Sequence, residues 1–163
     1  MSKSVEKIQL GLKRYLDEKR QGFPRFFFLS DEELLEILAE TRNPRKIQPF
    51  LRKIFEGIRT VKFQEGRGGD ENALEIIAMV SGKSEQIWLS SPVDPMQYGS
   101  GACEKWLVDL ENRMRDTICA ELRVAIEQYD VTGANIEERA GKRNAWLLNR
   151  AAQVVLAIDQ LQW

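Results

Sequence analysis

Hydrophobic positions recur at helical spacing along most of the chain and alternate over one short stretch. Val5, Ile8, Leu12, Tyr15 and Leu16 predict an amphipathic helix from Ser4 to about Arg20, ending near Gly22. Phe23, Phe26, Phe27 and Phe28 follow as the densest aromatic run of the sequence. An enclosed aromatic ring buries roughly 150–250 Å², so elements before and after this run must cover it. Pro24 predicts an extended entry. Alternation along an extended chain sends Phe26 and Phe28 beneath the next helix and Phe27 toward the first helix or a neighbouring surface. Ser30 reads as the N-cap of that next helix. Glu33 completes a capping box, Leu29 and Leu34 form a hydrophobic staple, and Leu34, Leu35, Ile37 and Leu38 supply the buried stripe.

Asn43 and Pro44 restart the chain as N-cap and first-turn proline. Ile47, Phe50, Leu51, Ile54 and Phe55 continue as a helix kinked by Pro49 and stopped by Gly57. Strand signals then take over. Thr60 to Phe63 is a short strand, and Leu74–Ser81 with Glu85–Ser90 reads as a β-hairpin around Gly82-Lys83-Ser84. After the Pro- and Gly-containing loop 90–101, positions from Trp106 to Tyr129 keep a period of about 3.6 residues, which predicts a long helix closed by Gly133. Trp146, Leu147 and Leu148, then Val154, Val155, Ile158 and Leu161, give a last helical segment that stops abruptly at Trp163. The expected fold is mainly α: a helical, bundle-like segment with a small β-hairpin insertion. It forms one unit, helical over 1–57, β over 58–91 and helical over 102–163.

Composition sharpens this only by exclusion. With 43% hydrophobic and 30% charged residues, the chain has the make-up of a globular domain. Its N-terminus lacks the apolar run of a signal peptide, and nowhere do about 18 apolar residues follow one another, so an intracellular chain without a membrane span is expected. Up to Phe63 there are 14 basic against 9 acidic residues, and 10 against 16 thereafter. The basic doublets Lys13-Arg14, Lys19-Arg20 and Arg52-Lys53 are interleaved with carboxylates, so they read as solvated surface and nucleic-acid binding is not expected. Histidine is absent, which removes Ser-His-Asp and Cys-His nucleophile pairs and most zinc sites. Cys103 and Cys119 lie about 24 Å apart on one helix and read as unpaired, buried thiols. Gly82-Lys83-Ser84 imitates the end of a P-loop, but Ile77 stands where the first glycine belongs and a strand follows instead of a helix. Gly66 to Gly69 lacks the context of a dinucleotide loop, and Glu104, Asp109 and Glu111 read as helix-surface carboxylates. No catalytic, cofactor-binding or metal-ligating residue is assigned.

One longer stretch carries more. YLDEKRQGFPRFFFLSDEELLEILAETRNPRKIQPFLRKIFEGI resembles a signature of dynein heavy chains in their linker region, where a Tyr-Leu and Lys-Arg run leads into Phe-Pro-Arg-Phe-aromatic-Phe. Leu29-Ser30, Asn43-Pro44 and Gln48-Pro49 resemble the axonemal branch. The similarity continues through MVSGKSEQIWL, EKWLVDLENRM and AAQVVLAIDQLQW. Phe50 and Ile54 depart from a frequent His and Cys, and Ala151 from a usual Pro. The signature residues are Phe23, Pro24, Arg25, Phe26, Phe27, Phe28 and Ser30, with Phe27 and Trp163 as candidate interface residues. The resemblance implies a non-catalytic lever, a fragment upstream of the first AAA+ module, relaying ring movements into a power stroke while the ATP sites lie elsewhere in the heavy chain. Its implied partners are the AAA+ ring and the remaining linker, with microtubules reached only through the full motor. No cofactor, nucleic acid or membrane is implied, and the implied location is the cytoskeleton of a ciliary or flagellar axoneme. The alternatives are an independent helical protein-binding adaptor, and an enzyme whose site is not legible in the sequence.

Overall fold

The structure is a computed structural model that describes residues 3–40, 43–65, 74–99, 102–129 and 132–161. Trp163 and the glycine-rich stretch Gly66 to Gly69 lie outside the described residues. The fold is mainly α with a small antiparallel sheet. It divides into two compact units, Met1–Arg113 and Met114–Trp163.

The first unit opens with α1 (Lys3–Gly22), followed by a 3-10 turn over Pro24–Phe28 and by α2 (Asp31–Ala39). A second 3-10 turn, Pro44–Ile47, is capped by the Asn43 side chain and runs into α3 (Gln48–Ile54), with Pro49 tolerated in its first turn. β1 (Ile58–Glu65), β2 (Leu74–Ser81) and β3 (Gln86–Val93) follow, then a short 3-10 turn (Pro95–Tyr98) and the start of α4 (Cys103–Glu127). The second unit holds the rest of α4, α5 (Ile136–Leu148) and α6 (Ala152–Leu161).

Three expectations need correction. The β part holds the expected hairpin, and the expected strand at Thr60 to Phe63 joins it in a three-stranded sheet of order β1-β2-β3. β1 is twice the expected stretch because pairing with β2 runs from Ile58↔Ser81 to Glu65↔Leu74. β3 continues through Pro92, which this edge strand accommodates where its pairing with β2 is irregular, between Ala78↔Trp88 and Ile76↔Val93. The last helical segment is two helices broken at Asn149–Ala151, where no glycine or proline announces the break. Finally, Phe23 is extended ahead of Pro24, as expected, but Pro24 begins a 3-10 turn where the aromatics were expected to run on extended.

The core of the first unit gathers Leu16, Phe23, Phe26, Leu34, Leu51, Ile54 and Ile76, all essentially sealed from solvent. Of the stripe expected on α1, only Leu16 is buried; Val5, Ile8, Leu12 and Tyr15 are exposed. Among the described residues, no helix is long and apolar enough to cross a membrane.

Candidate functional site

The signature segment folds as a junction because of the period of its turn. A 3-10 helix repeats about every three residues, so Phe23, Phe26 and Leu29 share one side. All three are buried, with Phe26 at 0% exposure. The rings of Phe23 and Phe26 meet edge to face at 5.1 Å, and Phe23 also packs against Phe55 at 6.1 Å. Phe27 and Phe28 fall on the outer side, 65% and 66% exposed. The expectation for Phe28 is therefore corrected: it does not join Phe26 beneath α2. The cause is the turn itself: the Phe23 amide donates to the Lys19 carbonyl at the end of α1, and the Phe26 and Leu29 amides each donate three residues back. Phe27 stays outside, its ring 5.9 Å from the Arg20 guanidinium of α1.

Charged side chains fasten this junction to its surroundings. Arg25 donates from Nε and Nη2 to Glu111 Oε1 of α4, at 3.2 and 3.1 Å, and from Nη1 to the Ile54 carbonyl at the end of α3, at 3.2 Å. The same guanidinium lies 5.2 Å from the centre of the Phe55 ring. Arg20 donates to Asp31 Oδ1 at 2.6 Å and to the Leu29 carbonyl at 3.3 Å, joining α1 to the first turn of α2. Lys19 donates to Glu104 Oε1 of α4 at 2.7 Å in a largely buried pair. Gly22 lies close beside it: a Cβ there would stand 3.2 Å from Glu104 Cγ, so that side chain would have to give by a few tenths of an ångström. Charge-assisted bonds of this kind are short and directional, so they set geometry at the places where helices meet.

Ser30 acts as expected. Its hydroxyl accepts from the Glu33 amide at 3.2 Å, and its own amide donates to Glu33 Oε2 at 3.1 Å. The Lys53 ammonium bonds Glu33, and that bond, followed by the Ser30 amide, holds the Glu33 carboxyl below its usual range.

Phe23, Pro24, Arg25, Phe26 and Ser30 thus lie in one locality, while Glu104 and Glu111, expected as helix-surface carboxylates, pair with Lys19 and Arg25. These partners stand most of the first unit away in the chain, beyond any local pattern. The available signal was the seven-residue spacing of Glu104 and Glu111, which puts both carboxylates on one side of α4. Cys103 is buried as expected; Cys119 is exposed, correcting that expectation. In the Gly82-Lys83-Ser84 turn the amides of Lys83 and Glu85 both donate to Ser81 Oγ, at 3.3 and 3.1 Å, so those amides cap the turn instead of converging on an outside anion. Among the described residues, no cluster of His, Cys, Asp or Glu could hold a metal ion.

Fold and site together define a mainly α protein organised on an aromatic junction that α1, α3 and α4 share. The sequence model of the family described as "Dynein heavy chain, N-terminal region 2" matches residues 1–125, and the chain belongs to that family. Dynein axonemal heavy chain 2 of Mus musculus is 39% identical over 166 residues, covering 100% of this chain and 3% of that protein. Dynein axonemal heavy chain 1 of Mus musculus is 38% identical over 162 residues, covering 99% and 3%. Dynein axonemal heavy chain 3 of Homo sapiens is 38% identical over 159 residues, covering 98% and 3%. The chain therefore spans about 3% of the length of these relatives.

Proposed function

We propose that this chain is a non-catalytic mechanical segment of a dynein linker, a lever that carries conformational change from an AAA+ ring into a power stroke. Its partners would be the ring and the remaining linker of the same heavy chain, in a ciliary or flagellar axoneme. The observation that carries this reading is Arg25. One guanidinium holds the end of α3, the side of α4 and the Phe55 ring, within a turn whose aromatic side is packed shut. A junction of that kind passes displacement between helices with little give, because packed cores resist continuous deformation. Phe27, exposed beside Arg20, is the residue proposed to meet the rest of the motor.

The test uses a full-length heavy chain carrying this segment. Phe27→Asp should slow microtubule gliding while ATP turnover and expression are retained. Unchanged gliding would remove Phe27 from the interface, and loss of all soluble protein would make its role one of folding. Calorimetry on the chain itself should detect no ATP binding; micromolar binding abolished by Lys83→Ala would overturn the non-catalytic reading.

A further inference from the structure

We propose that the surface where α3 hands over to β1 is a docking groove for an extended, acidic segment of a partner polypeptide. The inference stands apart from the lever reading and rests on a different face of the first unit. Arg52 of α3, the Glu56-Gly57 connection, Ile58 and Arg59 of β1, and Gly82 of the β2–β3 turn line one shallow groove. The Ile58↔Ser81 pairing places the two glycine-bearing connections side by side.

Two properties point to an anionic occupant. Arg52 and Arg59 are exposed, and among the described residues their side chains have no hydrogen-bond or ion-pair partner. Lys83, in the same turn as Gly82, is exposed likewise. Several other cations of this unit are engaged, among them Arg20 with Asp31, Arg25 with Glu111 and Lys53 with Glu33. Unpaired guanidinium groups are strong carboxylate binders by virtue of their fixed fork of donors. The second property is room. A Cβ at Gly57 or Gly82 would meet nothing within 4 Å, so a backbone can approach both. Gly57 needs its freedom for a φ of +86°, but Gly82 lies outside the positive-φ set, and its missing side chain leaves space without relieving strain.

The lining selects a peptide over a compact anion. Arg52 and Arg59 stand on different elements, which suits carboxylates spaced along an extended chain. Ile58 offers a half-buried apolar floor between them. Glu56 opposes a concentrated charge such as phosphate, while it can accept a hydrogen bond from a peptide amide. Its lining from Arg52 to Arg59 also falls within the basic part of the sequence, whose excess of 14 over 9 charges up to Phe63 the junction leaves unexplained.

The probe is a fluorescein-labelled octapeptide of alternating glutamate and alanine, titrated with the whole chain at low salt and followed by anisotropy. Saturable binding that weakens with added salt is expected. Arg52→Gln/Arg59→Gln should lose about tenfold or more in affinity. Gly82→Leu, which fills the groove without changing charge, should lose a comparable factor. A control of equal charge change on other exposed positions, Lys7→Gln/Arg123→Gln, should bind as the parent does. Equal loss in that control would mean that net charge attracts the peptide, and would overturn the proposal. So would absence of saturable binding, displacement of the peptide by stoichiometric inorganic phosphate, or self-association of the parent chain abolished by the double arginine variant, which would give the groove to a second copy. Far-ultraviolet dichroism and urea midpoints unchanged across the variants keep the comparison one of binding.

Discussion

Phe26 and Phe28 are two positions apart and have opposite fates, one sealed and the other two-thirds exposed. An aspartate at Phe26 removes a packed ring and buries an unpaired charge; truncation alone costs about 3–5 kcal/mol, a large share of the stability of a domain. Phe27→Asp and Phe28→Asp should each change stability by less than about 1 kcal/mol. Urea unfolding of the three variants decides, and three equal losses would contradict the period-three packing. The cysteines differ in the same way. Burial, then the neighbouring Glu104 carboxylate, pushes the Cys103 thiol up to about 12, with Lys19 acting in the opposite direction. An unfolded thiol titrates near about 8.5, so above that pH the unfolded state sheds its proton first. Stability therefore falls as pH rises from about 8.5 toward about 12, by at most about 1.4 kcal/mol per pH unit from this group. Cys103→Ala should flatten the decline between urea midpoints taken at pH 7 and pH 10. In the folded chain near neutral pH, a soluble thiol reagent should modify Cys119 rapidly and Cys103 only after urea is added.

α2 shows how an element is specified by its ends. Ser30→Ala deletes the N-cap and should cost about 1 kcal/mol in urea unfolding. Glu33 adds a pH dependence of defined sign. Its carboxyl is lowered by the Lys53 bond and then by the Ser30 amide. The stabilisation is present above the unfolded value of about 4.3 and disappears as pH falls through the lower folded value. Glu33→Gln should remove that part of the acid-side loss; an unchanged acid profile would show the bonds to be ineffective in solution. This cap, the bounds of α1 and the span of β2 were all legible in sequence, because each depends on neighbours a few residues away. The aromatic turn was not, since Pro24 permits both an extended chain and the first turn of a 3-10 helix. The choice between them is made by Phe55, which packs against Phe23 from a distant position. The break between α5 and α6 was hidden for a similar reason. Arg150 sits at the break and is held by Glu121 and Gln128, partners that no local pattern names.

The two compact units are unequal in what holds them. The buried cluster in the second is Ala125, Val154 and Ile158, with Leu122, Trp146 and Ala151 partly covered against it. Trp146 adds an edge-to-face contact with Tyr129 at 5.0 Å and donates from Nε1 to the Ala125 carbonyl at 3.0 Å. α5 has no buried residue. Amides of α5 should therefore exchange with deuterium well before those of β2, whose residues Leu74, Ile76, Ala78 and Met79 are buried. Equal protection of the two elements by mass spectrometry would contradict this. The contrast between a sealed Cys103 and an open Cys119 also has a use at this scale. Cys119 can serve as the chain's own tether for a bead or a surface, so a single molecule can be pulled from a defined point on α4 without engineering a new thiol or disturbing the aromatic junction.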